Sequence, residues 1–333
     1  MAGAVVLLTV ITGVLLTAFA WPSVRSSVHG VPIAVAGPHT AITEIRTALD
    51  QRLPGGFDIT EVADTAAAEH LIRDRQVYGA IDLSSGTPQV VVASAAGTAI
   101  DQTLRTMAAN LAQADRPGGS VVVRDLAALP ADDPRGAGLA AGALPLVMGG
   151  LLAAVLLTRL VHGTARRVTG ALAFAATGSL AVAAVLQFWL GSLSGSYPAN
   201  AGAVALTIAA TALTVLGLES LLGPVGIGIG AAVMVLVGNP LSGTATAPEM
   251  LPGRSGTLGQ LLPPGAGGRL LRSTAFFDGH GAVHAVTVLV AWIALGAVLC
   301  LAGGPPAHHL RFARPGRRST PLTTHERTTG SET

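Results

Sequence analysis

The chain has no lysine among its 333 residues, and this absence excludes two kinds of chemistry. All 20 of its basic side chains are arginines. A Walker A loop needs a lysine that reaches the nucleotide phosphates, and a Schiff-base enzyme needs a lysine amine as its nucleophile. We therefore expect neither ATP hydrolysis by a Walker A loop nor lysine-based covalent catalysis in this chain.

Cysteine and charged residues are also scarce. The only cysteine, Cys300, lies in an apolar run, which excludes an internal disulfide and a cysteine zinc cluster. Charged residues make up 11% of the chain, against about 25% in soluble proteins. The net charge of +2 is too small to indicate a nucleic-acid partner. Because half of the residues are apolar, the composition predicts a polytopic α-helical membrane protein.

Six apolar runs predict six transmembrane helices. The first, Ala4–Ala20, has about the minimum length that spans a bilayer and defines TM1 within residues 1–20. Ala18-Phe19-Ala20 also matches a signal-peptide cleavage pattern, but no positively charged segment precedes the run. We expect a retained helix and keep cleavage as the alternative. Five further runs predict a membrane domain over residues 138–303, at about Gly138–Leu157, Val168–Leu190, Ala201–Leu222, Val225–Val237 and Val283–Leu301.

Residues 21–137 have the composition of a separate α/β domain. Most of the acidic residues of the chain occur there, interleaved with arginines. The apolar pattern predicts strands at Val31–Val35, Phe57–Val62, Val77–Leu83, Gln89–Ser94 and Ser120–Asp125. It predicts helices at Thr40–Leu53, Thr65–Gln76 and Thr98–Ala114, the second with Asp64 as N-cap. Turn residues Ser84–Pro88 and the sequence Arg116-Pro117-Gly118-Gly119 separate these elements. About 100 residues suffice for an independent core.

Residues 238–281 form a broken segment between the last two apolar runs. The prolines and glycines in it prevent a continuous helix, yet Leu258–Leu262 and Gly268–Phe277 are apolar or amphipathic. Such a segment is typical of a re-entrant or interfacial loop, which is tolerated at membrane depth only where protein buries it or where it lines a cavity. In the short run before it, Gly226, Gly228 and Gly230 are expected to let neighbouring helices approach closely.

The arginines predict the orientation of the chain in the membrane. Arg159, Arg166 and Arg167 lie in one short link between apolar runs, whereas the link Ser192–Asn200 carries no charge. The tail, residues 304–333, is also arginine-rich and is expected to be disordered and cytoplasmic. With six helices, both termini are then cytoplasmic, and residues 21–137 and 238–281 lie on the external face.

This layout resembles the ABC-2-type permease superfamily and, within it, the phage-infection-protein-like membrane proteins. The resemblance is carried by Gly238–Gly243, Pro248–Pro252, Leu261–Gly265 and the stretch from Asp64 to Ala80. It implies a subunit of a bacterial plasma-membrane exporter that forms a homo- or heterodimer and moves a lipidic, amphipathic or polymeric cargo. It also implies a separate ATP-binding subunit, with which the absence of lysine agrees.

Two sets of residues are candidates for function in such a subunit. The candidate gate and cargo path consists of Asn239, Pro240, Pro263, Pro264, Arg269 and Arg272. The candidate contact with an ATPase consists of Arg159, Arg166 and Arg167. Together with Arg254, the arginines Arg269 and Arg272 either bind lipid phosphates or an anionic cargo or are ordinary surface charges.

Four further polar residues allow more than one interpretation. His280 and His284 stand four residues apart near Asp278, which permits a metal site but fits interfacial polar residues better. Glu219 is either a buried functional carboxylate or a headgroup-level residue, and Gln187 either bonds a neighbouring helix or contacts cargo.

No catalytic motif is present, so we expect no enzyme activity and no cofactor. The competing function is a non-transporting cell-surface receptor or scaffold. Its external domain would bind envelope material or a protein partner.

Overall fold

A computed structural model describes residues 1–84, 88–115 and 121–303 of the chain. The predicted break at residues 116–119 and the predicted basic tail, residues 304–333, lie outside the described residues. So do residues 85–87 of the predicted turn. The described chain is mostly helical and contains one β-sheet.

The first helix leads into the α/β domain, whose elements alternate in the predicted order. The first helix is α1 (Ala2–Val24). The domain consists of β1 (Val31–Ala36), α2 (His39–Arg52), β2 (Phe57–Val62), α3 (Thr65–Arg73), β3 (Gly79–Asp82), β4 (Gln89–Val92), α4 (Thr98–Asp115) and β5 (Val122–Asp125). The predicted end of TM1 at Ala20 is too early, because Pro22 removes only one backbone donor and Arg25 N still bonds to Trp21 O.

The sheet has the strand order β2-β1-β3-β4-β5 and is mixed. β1 runs parallel to β2 and β3, β4 is antiparallel to β3, and β5 is parallel to β4. One face packs against α2 and α4 through a core that includes Ile33, Val35 and Leu104. The other face packs against α3 through Ala34 and Ile72, and Phe277 from a distant part of the chain completes that layer.

Helix α3 begins as predicted and ends earlier. The Asp64 carboxylate accepts a hydrogen bond from Ala67 N at 2.8 Å, which confirms the predicted N-cap. The helix ends at Arg73 instead of Gln76, because Arg75 adopts a left-handed φ of 59° and turns the chain towards β3. This turn places Arg75 against residues outside the domain.

A buried carboxylate fixes the end of β3. Asp82 is fully buried and accepts hydrogen bonds from Ser84, Thr65 and Gln89. Burial by itself raises the pKa of Asp82, but these hydrogen bonds outweigh it and lower the pKa below its ordinary value. The ionised side chain therefore joins α3 to the β3–β4 pair.

The second half of the chain forms a helical bundle. Its long helices are α5 (Ala137–Leu160), α6 (Thr164–Ala184, continued as a π-helix over Val185–Trp189) and α7 (Tyr197–Leu222). They are followed by α8 (Pro224–Ala231, continued as a π-helix to Gly238), α9 (Ser255–Gln260), α10 (Pro263–Phe276) and α11 (Val283–Ala302). A short 3₁₀ turn, Pro248–Met250, precedes α9.

Among the described residues, five helices are long and apolar enough to cross a membrane: α1, α5, α6 with its π continuation, α7 and α11. The fifth apolar run of the sequence forms a shorter helix, Pro224–Gly238, which rises about 22 Å along its axis. It follows α7 after Gly223 alone and packs back against α7 as a tight hairpin.

The glycines of that short helix differ in their surroundings. A Cβ on Gly230 would lie 2.9 Å from the Val215 side chain of α7, so this glycine permits the predicted close approach. No atom lies within 4 Å of a Cβ on Gly228, and the prediction for that residue is wrong. Gly228 faces away from the neighbouring helix because only one side of a helix can face α7.

Helix α7 lies at the centre of the bundle and contacts α5, α6, α8, α10 and α11. Its first residues lie near the α/β domain; we call this the domain end of the bundle and the opposite one the far end. Thr274 Oγ1 donates to Asn200 Oδ1 at 2.8 Å and so fixes the end of α10 at the domain end.

Candidate functional site

The segment from α9 to α10, here called the inserted segment (residues 255–276), reaches into the bundle from the domain end. Trp292 Nε1 of α11 donates to Leu261 O at 2.8 Å, and Trp292 lies about 14 Å along α11 from its first residue. Gly267 packs against Thr207, about 15 Å along α7. These distances equal about half the thickness of a hydrocarbon core, which is about 30 Å.

Four of the predicted gate residues lie at the start of α10 or just after the short helix that packs on it: Pro263, Pro264, Asn239 and Pro240. Pro263 and Pro264 occupy the first turn of α10, where a proline costs no helical hydrogen bond. A Cβ on Gly238 would lie 2.8 Å from Pro264 Cγ, so the end of the short helix packs closely on α10. Asn239 follows, and its Oδ1 is buried without a hydrogen-bond partner among the described residues. Pro240 lies next to it in the turn that leaves the bundle.

Buried apolar contacts join the α/β domain to the chain on both sides of the inserted segment. Ala247 and Met250 belong to the same core cluster as Ile33 of β1. Phe277, directly after α10, packs with Ile72 on the opposite face of the sheet. Loops from the membrane half of the chain thus complete the core of the domain on both faces, which makes the two parts one packed unit.

A cavity of about 330 Å³ lies at this junction. Three parts of the chain line it: the α3–β3 turn with Asp74, Arg75 and Tyr78; the loop with Ser242, Thr244 and Glu249; and the inserted segment with Gln260, Arg269 and Arg272. The predicted residues Arg269 and Arg272 are therefore brought together in one wall. Arg254, grouped with them in the sequence, is exposed and does not line this cavity.

Arg75 connects the domain to α10. Its Nη1 donates to Arg269 O at 2.9 Å and to the Ser273 hydroxyl, and its guanidinium lies 5.2 Å from the centroid of the Phe277 ring. The distance and placement over the ring are those of a cation–π interaction. Burial, followed by the nearby charges of Arg272 and Arg269, lowers the pKa of Arg75. The side chain remains a cation because an arginine pKa starts far above neutrality.

Tyr78 and Glu249 form the second polar link across the junction. Tyr78 Oη donates to Glu249 Oε2 at 2.6 Å. Burial and the adjacent Glu249 carboxylate raise the pKa of Tyr78, so the phenol stays protonated and remains a donor. This hydrogen bond fixes one carboxylate in the wall of the cavity.

Several polar atoms of the cavity wall have no partner. Arg272 Nη2 donates to Thr244 O at 3.0 Å, but the Nε atoms of Arg269 and Arg272 are buried and, among the described residues, without an acceptor. Gln260 Nε2 donates to Ser242 O, and its Oε1 is likewise buried and unpaired. Burial lowers the pKa of Arg272. An unsatisfied buried polar atom costs free energy, so the wall is suited to a polar, anionic ligand.

The predicted ATPase-contact residues lie at the far end, where Arg167 is paired and Arg159 and Arg166 are exposed. Arg167 Nη1 pairs with Glu219 Oε2 at 3.0 Å, and its other nitrogens donate to Val161 O and Thr158 O. Arg167 therefore closes the α5–α6 turn onto the end of α7. Arg159 and Arg166 are exposed beside it. Glu219 is thus a paired residue at a helix end.

The remaining polar candidates have structural partners. Gln187 Oε1 accepts from Asn200 Nδ2 at 3.0 Å, a hydrogen bond between the end of the α6 π-helix and α7. His280 Nδ1 lies 2.8 Å from Asp74 Oδ1 and so joins the loop after α10 to the domain. His284 is exposed at the start of α11. Within the described ranges, no three histidine, cysteine or carboxylate residues are grouped as a metal site.

Three residues of the cavity were not predicted as site residues. These residues, Tyr78, Glu249 and Arg75, all lie within the stretches that carry the family resemblance, but nothing in those stretches singles out Arg75. Its role depends on a left-handed backbone conformation and on a partner helix almost 200 positions away. No local pattern in the sequence indicates either feature.

In comparisons with known proteins, no family model, no curated protein and no solved structure matches this chain.

Proposed function

We propose that the chain is a permease-like subunit of the ABC-2 type in a bacterial plasma membrane. In this proposal six helices span the membrane, the short helix Pro224–Gly238 among them. Both termini are cytoplasmic, and the α/β domain is external. The subunit acts as a homo- or heterodimer and exports a lipidic, amphipathic or polymeric cargo with a separate ATP-binding subunit.

The inserted segment is the observation that supports this function most. It reaches about half of a bilayer thickness into the bundle, packs on the central helix α7, and is fastened to the α/β domain at its other end. A movement of α7 or α11 would therefore be transmitted to α10 and to the domain. The segment has the placement of a gate between the bundle and the external face.

The decisive experiment measures ATP hydrolysis. The purified chain is reconstituted with an ATP-binding cassette subunit that co-purifies with it from the native membrane, and we expect the chain to stimulate the ATPase rate. Arg166→Gln, at the exposed far-end turn, should reduce this stimulation, whereas Arg254→Gln, at the domain end, should not. The absence of stimulation in every tested lipid would contradict the proposal.

The orientation has its own test in cysteine labelling of intact cells. Arg166→Cys should be protected from a membrane-impermeant maleimide, and Ser194→Cys, at the domain end, should be labelled. Labelling of Arg166→Cys from outside would overturn the proposed topology.

The α5–α6 turn favours a second candidate function, a non-transporting receptor or scaffold. Only Val161, His162 and Gly163 separate the two helices, and Arg167 closes the turn internally. Such a turn offers little surface to an ATPase. The receptor would bind envelope material through the α/β domain, and co-sedimentation of the full chain in nanodiscs with purified cell-wall polymer tests it.

A further inference from the structure

The cavity at the junction carries an excess of positive charge. Its cationic side chains are Arg75, Arg269 and Arg272, and its carboxylates are Asp74 and Glu249. The Asp74 carboxylate already lies 3.0 Å from His70 Nδ1 and 2.8 Å from His280 Nδ1. Glu249 accepts from the protonated Tyr78. Three guanidinium groups thus share one available carboxylate, and buried charges need compensation.

The two arginines of α10 that line the cavity are the groups that a compensating ligand would contact. The buried Nε atoms of Arg269 and Arg272 lack acceptors among the described residues, and the two residues are three positions apart on α10. This spacing places their side chains on the same face of the helix. An acceptor in the cavity can therefore bond to both guanidinium groups while Arg75 contributes charge from the domain.

Phosphate fits this arrangement better than a carboxylate does. A carboxylate offers two oxygens and a single charge, whereas a phosphate ester offers several oxygens in a tetrahedral arrangement and up to two charges. Arginine forks form bidentate hydrogen bonds with phosphate oxygens. Three guanidinium groups around one site match the larger number of acceptors.

The rest of the cavity indicates an organic phosphate with hydroxyl groups. A volume of about 330 Å³ far exceeds that of inorganic phosphate and lies in the range of small-molecule sites. Gln260, only 6% exposed, presents a buried Oε1 without a donor. That oxygen can accept a hydrogen bond from a ligand hydroxyl.

We propose that the cavity binds a hydroxylated organic phosphate, with the phosphoryl group at Arg269, Arg272 and Arg75 and a hydroxyl at Gln260. A phospholipid headgroup and a soluble glycerol phosphate share this chemistry. That this ligand is the cargo rests on the proposed permease function. That the cavity binds it can be tested on the purified chain without an ATPase.

The test is a ligand-induced thermal shift on the full chain, purified and delipidated in detergent. The probes are dioleoylphosphatidylglycerol, the phosphate-free control dioleoylglycerol, and soluble glycerol 3-phosphate. A ligand that binds only the folded state raises the melting temperature, and the rise grows with the logarithm of ligand concentration over Kd. We expect a rise with at least one phosphate probe and none with dioleoylglycerol.

Substitution of the arginines separates binding from general stability. Arg269→Gln and Arg272→Gln should weaken phosphate affinity about tenfold or more, as expected for the loss of a charged hydrogen bond. Arg254→Gln removes the same charge just before α9, outside the cavity, and should bind as the wild type does. Because repulsion between the cations is relieved, Arg269→Gln without ligand should melt no lower than the wild type. A purely structural arginine would instead lower the melting temperature.

Each outcome supports or overturns the inference. A shift with dioleoylphosphatidylglycerol alone identifies a lipid headgroup, and a shift with glycerol 3-phosphate identifies a soluble phosphate. An equal shift with dioleoylglycerol, no shift with either phosphate probe, or equal binding by Arg269→Gln and Arg254→Gln overturns it. Phosphate binding without ATPase stimulation would retain this inference and reject the permease function.

Discussion

Two helices of this chain, α1 and α7, have almost the same sequence signal and opposite roles in the structure. Their most apolar windows have mean hydropathies of 2.3 and 2.0. No residue of that window is buried in α1, against 78% in α7. Hydropathy therefore identifies both as helices of spanning length but does not indicate which one the bundle is built around.

Close backbone contacts distinguish the two helices. Gly217 of α7 faces Gly296 of α11, and a Cβ on Gly217 would lie 2.7 Å from Gly296 O. Around Gly3 and Gly13 of α1 no atom lies within 4 Å of a Cβ. Both helices contain small residues, but only in α7 do these residues meet a partner. In membranes, where apolar surface alone does not drive helices together, such close packing holds a bundle together.

The largest effect that would sharpen this comparison is expected from a glycine substitution. Gly296→Leu would place a side chain against the Leu213 backbone and should destabilise the protein by about 3 kcal/mol. The same change in α1, Gly13→Leu, should leave stability unchanged. Thermal melting in detergent checks the pair, and equal losses in both variants would contradict the difference in packing.

A smaller effect is expected from the hydrogen bonds of α7. Asn200 donates to Gln187 Oε1 and Ser194 O and accepts from Thr274 Oγ1. Asn200→Ala should cost about 1–2 kcal/mol, since each such bond contributes about 0.6 kcal/mol in membrane proteins. Asn110→Ala, at an exposed position of α4, is the control. Equal melting temperatures of the two variants would show that these bonds do not stabilise the bundle.

A still smaller effect is expected for a pair of threonines. Thr214 in α7 and Thr9 in α1 both donate to the carbonyl four residues earlier, but only Thr214 also reaches Trp292 O, at 3.4 Å. Thr214→Val should cost about 0.6 kcal/mol, and Thr9→Val should cost nothing measurable. A larger loss from Thr9→Val than from Thr214→Val would reverse the ranking of the two helices.

The smallest effect is expected from α1 itself. Replacement of residues 4–16 by leucine keeps the apolar surface and removes every specific side chain. The melting temperature of the bundle and the mass of the detergent-solubilised particle should not change. If the wild-type particle contains more than one chain and the variant particle is smaller, α1 binds a second chain. The contrast with α7 would then hold only within a single chain.

Much of the α/β domain was predictable from its sequence. Alternating apolar residues in Val31–Val35 and Phe57–Val62 and the N-cap at Asp64 appear as β1, β2 and the start of α3. These signals are local, because they depend on neighbours within one strand or one helical turn. The early end of α3 was missed, because the conformation of Arg75 is fixed by partners outside the domain.

The candidate site was only partly predictable. Arg269 and Arg272 were selected for their charge in an apolar setting, and the proline pair before them was recognised as an interruption of the segment. The sequence did not predict that Arg269 and Arg272 line one cavity with Arg75 and Glu249, because these residues come from segments far apart in sequence. The ion pair between Arg167 and Glu219 was not predicted, and a contact of Arg167 with an ATPase stays a prediction.

The sequence by itself determined that this is a membrane protein with apolar helices, an α/β domain and a broken segment before the last helix. Those features follow from hydropathy, periodicity and the backbone limits of proline and glycine, which are properties of short stretches. Only the tertiary structure decided that α7 is the centre, that most of α1 stays exposed, and that three arginines meet in one cavity. These features depend on which surfaces come into contact, and side chains gain or lose partners only when the chain has folded.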